Sequence, residues 1–154
     1  MAISIRNSAK AIIIKEGKIL LTKNKDNNGE FYLLPGGGQE HGETLVETLK
    51  RECLEEISAQ VEVGELKLVR EYIGGNHEFA EWDSDFHQVE FMFECNLVSE
   101  EKLEIGYVPD EWQIGLEWIE LKELNKYRVY PSELLKYLGE SKELNNTCYL
   151  GDVN

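Results

Sequence analysis

Residues 37–59 read GGQEHGETLVETLKRECLEEISA, a glycine-rich run that passes directly into a segment crowded with acids. Thr44 followed by Glu47 is a T-x-x-E capping box, and Leu45, Leu49, Cys53 and Ile57 recur at helical spacing, which predicts a helix over residues 44–58 with those four side chains as its buried stripe. With roughly 100° between successive residues of an α-helix, Glu52, Glu55 and Glu56 stand within an arc of about 100° and must share one face. Like charges at these spacings cost a few tenths of a kcal/mol per pair. A helix selected for stability alone would not set three glutamates together beside its apolar stripe; a divalent cation reverses the penalty. Hard oxygen ligands of this kind suit Mg²⁺ or Mn²⁺. The upstream glycines let the backbone turn and approach a metal or substrate closely, and a carbonyl from them can complete a coordination shell. Arg51, beside the acidic face, has Glu43 or Glu47 within reach as an ion-pair partner. The plain alternative is a solvated glutamate-rich face.

Working outward, residues 11–14 and 18–22 flank Glu16 and Gly17 and read as a β-hairpin. Polar residues 24–30 read as a loop. Residues 31–34 form a short apolar stretch before Pro35 and Gly36, Gly37 and Gly38, where no regular element is expected to continue. Beyond the helix, residues 61–73 carry a strand pattern broken at Gly64, and residues 89–97 a second strand. Between them YIGGNHEFAEWDSDFH reads as an irregular loop or a long hairpin connection. Residues 116–121 resemble a short strand, and residues 131–138 before Gly139 have the proline-first, glycine-last asymmetry of a short helix. No repeat or linker divides the chain, so residues 1–154 are expected to form one mixed α/β domain with a single sizeable core.

Acidic residues outnumber basic ones by 30 to 16, a formal charge of −14, which argues against a sequence-independent grip on nucleic acid. An anionic substrate would need a cation as go-between. Cys53, Cys95 and Cys148 include no close-spaced pair, so neither a disulfide framework nor a thiolate zinc site is suggested, and a reducing cytoplasm is expected. The N-terminal residues lack the features of a signal peptide, and no apolar run approaches membrane-spanning length. The chain is therefore expected to be a soluble protein with no membrane partner.

The 23-residue stretch resembles the box of the Nudix hydrolases, G-x5-E-x7-R-E-U-x-E-E-x-G-U with U apolar: Gly37, Glu43, Arg51, Glu52, Cys53, Glu55, Glu56 and Ala59 fall on its positions. The one departure is Ser58 where the box has a helix-ending glycine, which bears on local geometry more than on metal binding. The resemblance implies an α/β/α sandwich with a mixed sheet, and Mg²⁺- or Mn²⁺-dependent hydrolysis of a phosphoanhydride bond in a nucleoside diphosphate linked to another group. It implies Glu52, Glu55, Glu56 and the Gly37 carbonyl as metal ligands, with Glu43 and Arg51 supporting them. Family members take the general base either from the helix, here Glu55 or Glu56, or from a later loop. Glu111 in PDEWQIG is the candidate there, and Glu90 a weaker one. Tyr72, Phe79, Trp82 and Phe86 are candidates for stacking on a nucleobase, or equally for capping the core. His77 and His87 lack ligand spacing and read as packing or surface residues.

Within the family, ADP-ribose hydrolases commonly carry a proline shortly beyond the box. None occurs here between Pro35 and Pro109, which tilts the expectation toward a nucleoside triphosphate or another nucleotide derivative. Two rival readings are a non-catalytic nucleotide-sensing domain, which would typically have lost box glutamates, and a simple acidic metal binder, for which the D-x-D-x-D-G loop of a calcium site is missing. Many members of the family pair, so a homodimer stays open.

Overall fold

The computed structural model describes residues 3–99, 103, 104, 106, 109, 111–138 and 147–154. Strand β1 (Arg6–Ile12) leads into β2 (Ile14–Lys15), which turns through Glu16 and Gly17 into β3 (Lys18–Asp26). The two turn residues have φ of 51° and 75°, the left-handed pair that a two-residue hairpin requires. The expected hairpin is thus present, with Ile14 opposite Ile19, but Ala11 and Ile12 belong to β1 in the other sheet. The expected loop at residues 24–30 is also hairpin: β3 runs to Asp26 and β4 (Gly29–Leu33) returns, with Asn24 opposite Phe31 and Asp26 opposite Gly29. The polar residues misled because the inward positions are polar too: Asn24 is buried with its amide on Thr22, and Asp26 is paired with Arg128.

The three glycines form strand β5 (Gly36–Gly38), antiparallel to β1, where the sequence predicts no element. Backbone proximity explains it: a Cβ on Gly36 would lie 2.0 Å from the Ala9 carbonyl oxygen, and the residue has a φ of 136°. Only glycine fits so close an approach. Helix α1 (Leu45–Ile57) follows as expected, with Thr44 and Glu47 in a complete capping box. Strand β6 (Val61–Ile73) is continuous, the irregularity at Gly64 appearing as register shifts against β7 (His87–Leu97) rather than a break. Between these strands lie a 3-10 turn and the one-turn helix α2 (Ala80–Asp83). Strand β8 (Gln113–Glu120), a 3-10 segment (Leu121–Lys126), β9 (Val129–Tyr130), α3 (Leu134–Leu138) and β10 (Cys148–Asp152) complete the order. Gly139, expected to end the last helix, lies outside the described residues.

One mixed sheet has the order β10-β6-β7-β1-β5, with β10 parallel to β6 and β1 parallel to β7. In the second, β3 is shared by β2, β4 and β8, and β9 runs parallel to β4. The expected mixed sandwich is therefore present, its strands divided between two sheets. Helix α1 buries Leu49, Cys53 and Ile57 against Ala9, Ala11, Ile13 and Leu20. A second cluster joins Ile12, Leu68 and Met92 of the first sheet to Ile19, Leu21, Tyr32 and Ile119 of the second, with Leu124, Leu134 and Leu138 closing it. Among the described residues no helix is long and apolar enough to cross a membrane.

Candidate functional site

Strand β5 is the edge of its sheet, and α1 lies across it, so the glycine backbone and the helix glutamates meet. At their junction stands Arg51. Its Nε and Nη2 donate to the two oxygens of Glu43 at 2.7 and 2.9 Å, its Nη1 to Glu52 and Glu55 at 3.0 and 3.1 Å, and its Nη2 also to the Gly38 carbonyl at 3.1 Å. The fork of the guanidinium matches the Glu43 carboxylate in a way no lysine reproduces. These bonds, with the Glu40 N–H and the Thr48 hydroxyl, hold the Glu43 carboxyl down at about 2. Glu47, the other partner considered for Arg51, is taken up by the helix cap.

Glu52 leans on the glycines. A Cβ on Gly37 would come within 2.5 Å of the Glu52 carboxyl carbon, so the bare backbone there makes room for the carboxylate. The Gly37 carbonyl accepts from the Ser8 hydroxyl at 3.0 Å. Glu56 is 1% exposed and accepts the Gly36 N–H at 2.9 Å. It binds the loop to the helix at depth, which a wheel of angles does not reveal. Cys53, on the apolar side of the same turn, is raised well above an ordinary thiol by burial and does no nucleophile's work.

The structure thus gathers Glu43, Arg51, Glu52 and Glu55 into one network and brings Gly37 and Glu56 beside it. Among the described residues no three acidic, histidine or cysteine side chains are drawn together as they would be around an ion; two carboxylates, Glu52 and Glu55, already share one cationic nitrogen. The donor chemistry fits a hard divalent cation: carboxylate oxygens and a backbone carbonyl along one loop-helix junction.

Glu111 is exposed, in a turn, and among the described residues no hydrogen bond or ion pair joins it to the helix glutamates. Its chain neighbourhood is tied to the helix, however. Gln113 donates to the Glu56 carbonyl at 3.1 Å, the Gly106 N–H donates to the same oxygen at 2.9 Å, and a Cβ on Gly106 would lie 1.9 Å from the Glu55 carbonyl oxygen. Glu90 is buried and ion-paired with Arg70, which commits it to the sheet.

The four aromatic candidates do not form one group: Tyr72 and Phe86 touch, and Phe79 packs elsewhere. Tyr72 is buried, donates to Asp83 at 2.7 Å, stacks with His77 and packs against Phe86. Phe79 meets Tyr130 edge-on, and the Arg128 guanidinium, paired bidentately with Asp26, lies over Phe31, Phe79 and Tyr130. That aromatic cage is filled by the protein's own arginine. Trp82 is 78% exposed. His77 and His87 bond to Asp152 and Glu71, a packing role in keeping with their spacing. Sequence reasoning missed Ser8, Thr48, Gly106 and Gln113. Thr48 lies five residues from the Glu43 that it bonds, a local signal, whereas Ser8, Gly106 and Gln113 act through contacts far apart in sequence.

A fold of two mixed sheets with a glutamate helix against a glycine edge strand defines a class, and the NUDIX domain model matches residues 5–138. The chain belongs to the Nudix family and is a hydrolase of nucleotide phosphoanhydride bonds. Among curated relatives, it is 28% identical over 127 residues to the nucleoside triphosphatase NudI of Salmonella agona (strain SL483), covering 75% of this chain and 82% of that protein. Among solved structures it is similar to a Nudix hydrolase from Nitrosomonas europaea, with a TM-score of 0.68, 22% identity and coverage of 96% of this chain and 79% of that one. It is also similar to an ADP-ribose pyrophosphatase from Streptococcus suis 89-1591, with a TM-score of 0.63, 18% identity and coverage of 96% and 98%. These two likenesses speak for the fold. Nudix hydrolases in general use divalent metal ions, and the retained glutamates disfavour a non-catalytic sensing domain.

Proposed function

We propose that the substrate is a nucleoside triphosphate or a closely related nucleotide derivative, and that Glu52, Glu55, Glu56 and the Gly37 carbonyl hold Mg²⁺ or Mn²⁺ beside it. The observation that carries the site is the Arg51 network, in which one guanidinium draws Glu43, Glu52, Glu55 and the Gly38 carbonyl to a single junction. When bound, the cation supplies the positive charge that a polyphosphate needs next to carboxylates in a chain of net charge −14.

The protein's own groups do the rest. Glu43 and Arg51 fix the loop to the helix, so that the carboxylates are oriented before substrate arrives. Water attacks phosphorus, a P–O bond forms, the bond to the leaving phosphate breaks, and the water's proton passes to a carboxylate. Glu55, which is half-exposed, and Glu111 are the bases we favour; Glu56 is the more confined, through its bond to the Gly36 N–H. Trp82 is the ring open to a nucleobase, whereas Tyr72 and Phe86 pack on each other and Phe79 on Tyr130. The surplus of acids disfavours a nucleic-acid partner, and the free cysteines suit a reducing cytoplasm.

The NudI likeness favours the triphosphate over ADP-ribose. The test is a screen of purified protein against nucleoside triphosphates, nucleotide sugars, ADP-ribose and dinucleoside polyphosphates at saturating Mg²⁺, reading released phosphate and pyrophosphate. Preferred turnover of a triphosphate is the expected result, and preference for ADP-ribose with the triphosphates untouched would overturn it.

A further inference from the structure

The chain has four arginines, and three of them are spent on carboxylates: Arg51 on Glu43, Arg70 on Glu90 and Arg128 on Asp26. Arg6 is different. It opens β1, is exposed, and among the described residues no hydrogen bond or ion pair engages its guanidinium. Its side chain lies over Gly38: a Cβ there would come within 2.4 Å of both Nε and Nη2. In a protein of net charge −14, an arginine that reaches a backbone glycine instead of a carboxylate leaves its donors available to an incoming anion.

The position matters as much as the charge. Successive residues of a strand face opposite ways, so Gly37 backs onto Glu52 while Gly38 backs onto Arg6. The edge strand β5 therefore has the helix carboxylates on one face and the free guanidinium on the other, one residue apart. Lys10, on the same face of β1 as Arg6, reaches the Gly36 carbonyl with its Nζ at 3.3 Å. Arg6 also borders an open cavity of about 550 Å³ whose other walls include Asn7, Gln39, Glu40, His41, Gly42 and Glu43, the last already neutralised by its pair with Arg51. That wall is held in place, because Asn7 bonds Gln39 through side chain and backbone and Gln39 donates to the Glu43 carbonyl at 2.8 Å.

We propose that Arg6 binds a phosphate group of the substrate at the mouth of this cavity, across β5 from the glutamates, with Lys10 as the second cation. The inference rests on the hydrolase reading for the identity of its ligand, a nucleoside polyphosphate. A guanidinium serves here because its planar fork matches phosphate oxygens bidentately. Contact with a phosphate that is not being attacked is made equally before and during the reaction, so it governs KM more than kcat.

The experiment is calorimetric titration of inorganic tripolyphosphate into the full chain at saturating Mg²⁺, for the wild type, Arg6→Gln and Arg6→Lys. Loss of a charge-assisted bidentate contact is expected to weaken binding about tenfold in Arg6→Gln, with Arg6→Lys recovering part of it. On the best nucleotide of the screen, KM should rise by a similar factor while kcat holds. Equal affinity and equal KM in Arg6→Gln and wild type overturn the assignment. If Arg6→Gln does not fold, Arg6→Lys decides: unchanged affinity removes the guanidinium from the site. Tripolyphosphate binding that depends on Arg6 in a protein that turns over no nucleotide supports the anion site and removes the hydrolase reading instead.

Discussion

Glu56 and Glu43 show how differently two carboxylates of one helix region can be used. Glu56 is sunk at 1% exposure with the Gly36 N–H on its Oε2, so Glu56→Gln keeps an acceptor for that bond and removes only the charge. Turnover is expected to fall by about 10²–10⁴-fold, with circular dichroism unchanged; near-normal activity at saturating Mg²⁺ would remove Glu56 from the metal and proton chemistry. Glu43 works through Arg51. Its folded pKa of about 2 lies below the ordinary 4.5, so the folded state holds its proton less tightly than the unfolded state does. The stability this contributes is present above pH 4.5 and is lost as pH falls toward 2. In Glu43→Gln the melting temperature should therefore lose part of its slope between those pH values, and a slope identical to that of wild type would mean that the Arg51 pair does not hold in solution.

At the scale of elements, the end of α1 and the edge strand carry the next tests. Ser58 caps the helix at φ 56° and ψ 31°, a left-handed conformation that suits glycine and costs a residue with a Cβ. Ser58→Gly should stabilise the fold by about 1 kcal/mol, a rise of about 2–4 °C in Tm for a domain of this size. A fall in Tm would mean that the serine side chain contributes more than its backbone costs. Along β5 the glycines should separate by function. Gly36→Ala sets a Cβ 2.0 Å from the Ala9 carbonyl in a rigid strand and should prevent folding or lower Tm sharply, whereas Gly37→Ala meets only the movable Glu52 carboxylate and should fold yet lose Mg²⁺ affinity. Comparable Tm in both would contradict that division. The same elements mark what sequence can carry. α1 was legible because capping and a 3.6-residue period are local signals, and the shared face of Glu52, Glu55 and Glu56 followed from angle alone. β5 was not, because three glycines have no side-chain pattern and only their pairing with β1 makes them a strand. The hairpin through residues 24–30 was hidden by polar residues on both faces, Asn24 bonded to Thr22 and Asp26 to Arg128, and β10 by pairing with a strand far away in sequence. At the site, the burial of Glu56 and the Gly106 and Gln113 contacts lay beyond reach for the same reason: each depends on chain that returns from a distance.

For the whole molecule, the question is how a chain of net charge −14 tolerates a further gathering of carboxylates. Within the network Arg51 offsets part of that repulsion by serving Glu43, Glu52 and Glu55 at once, and a divalent cation would offset more. An ion that binds only the folded state stabilises it by mass action, about 4 kcal/mol at a thousand times its Kd, so Tm should rise with added Mg²⁺ or Mn²⁺ and fall back when a chelator is supplied. A rise alone does not locate the ion, because any divalent salt screens a strongly acidic protein. The variant Glu52→Gln separates the two effects: it changes the net charge by one unit in fourteen and leaves general screening almost intact, but removes one carboxylate from the junction. We expect the low-concentration, saturable part of the Tm rise to disappear in Glu52→Gln while the gradual rise at high salt persists. If the two proteins respond to Mg²⁺ identically, the cation acts on the acidic surface at large, and Glu52 does not hold it.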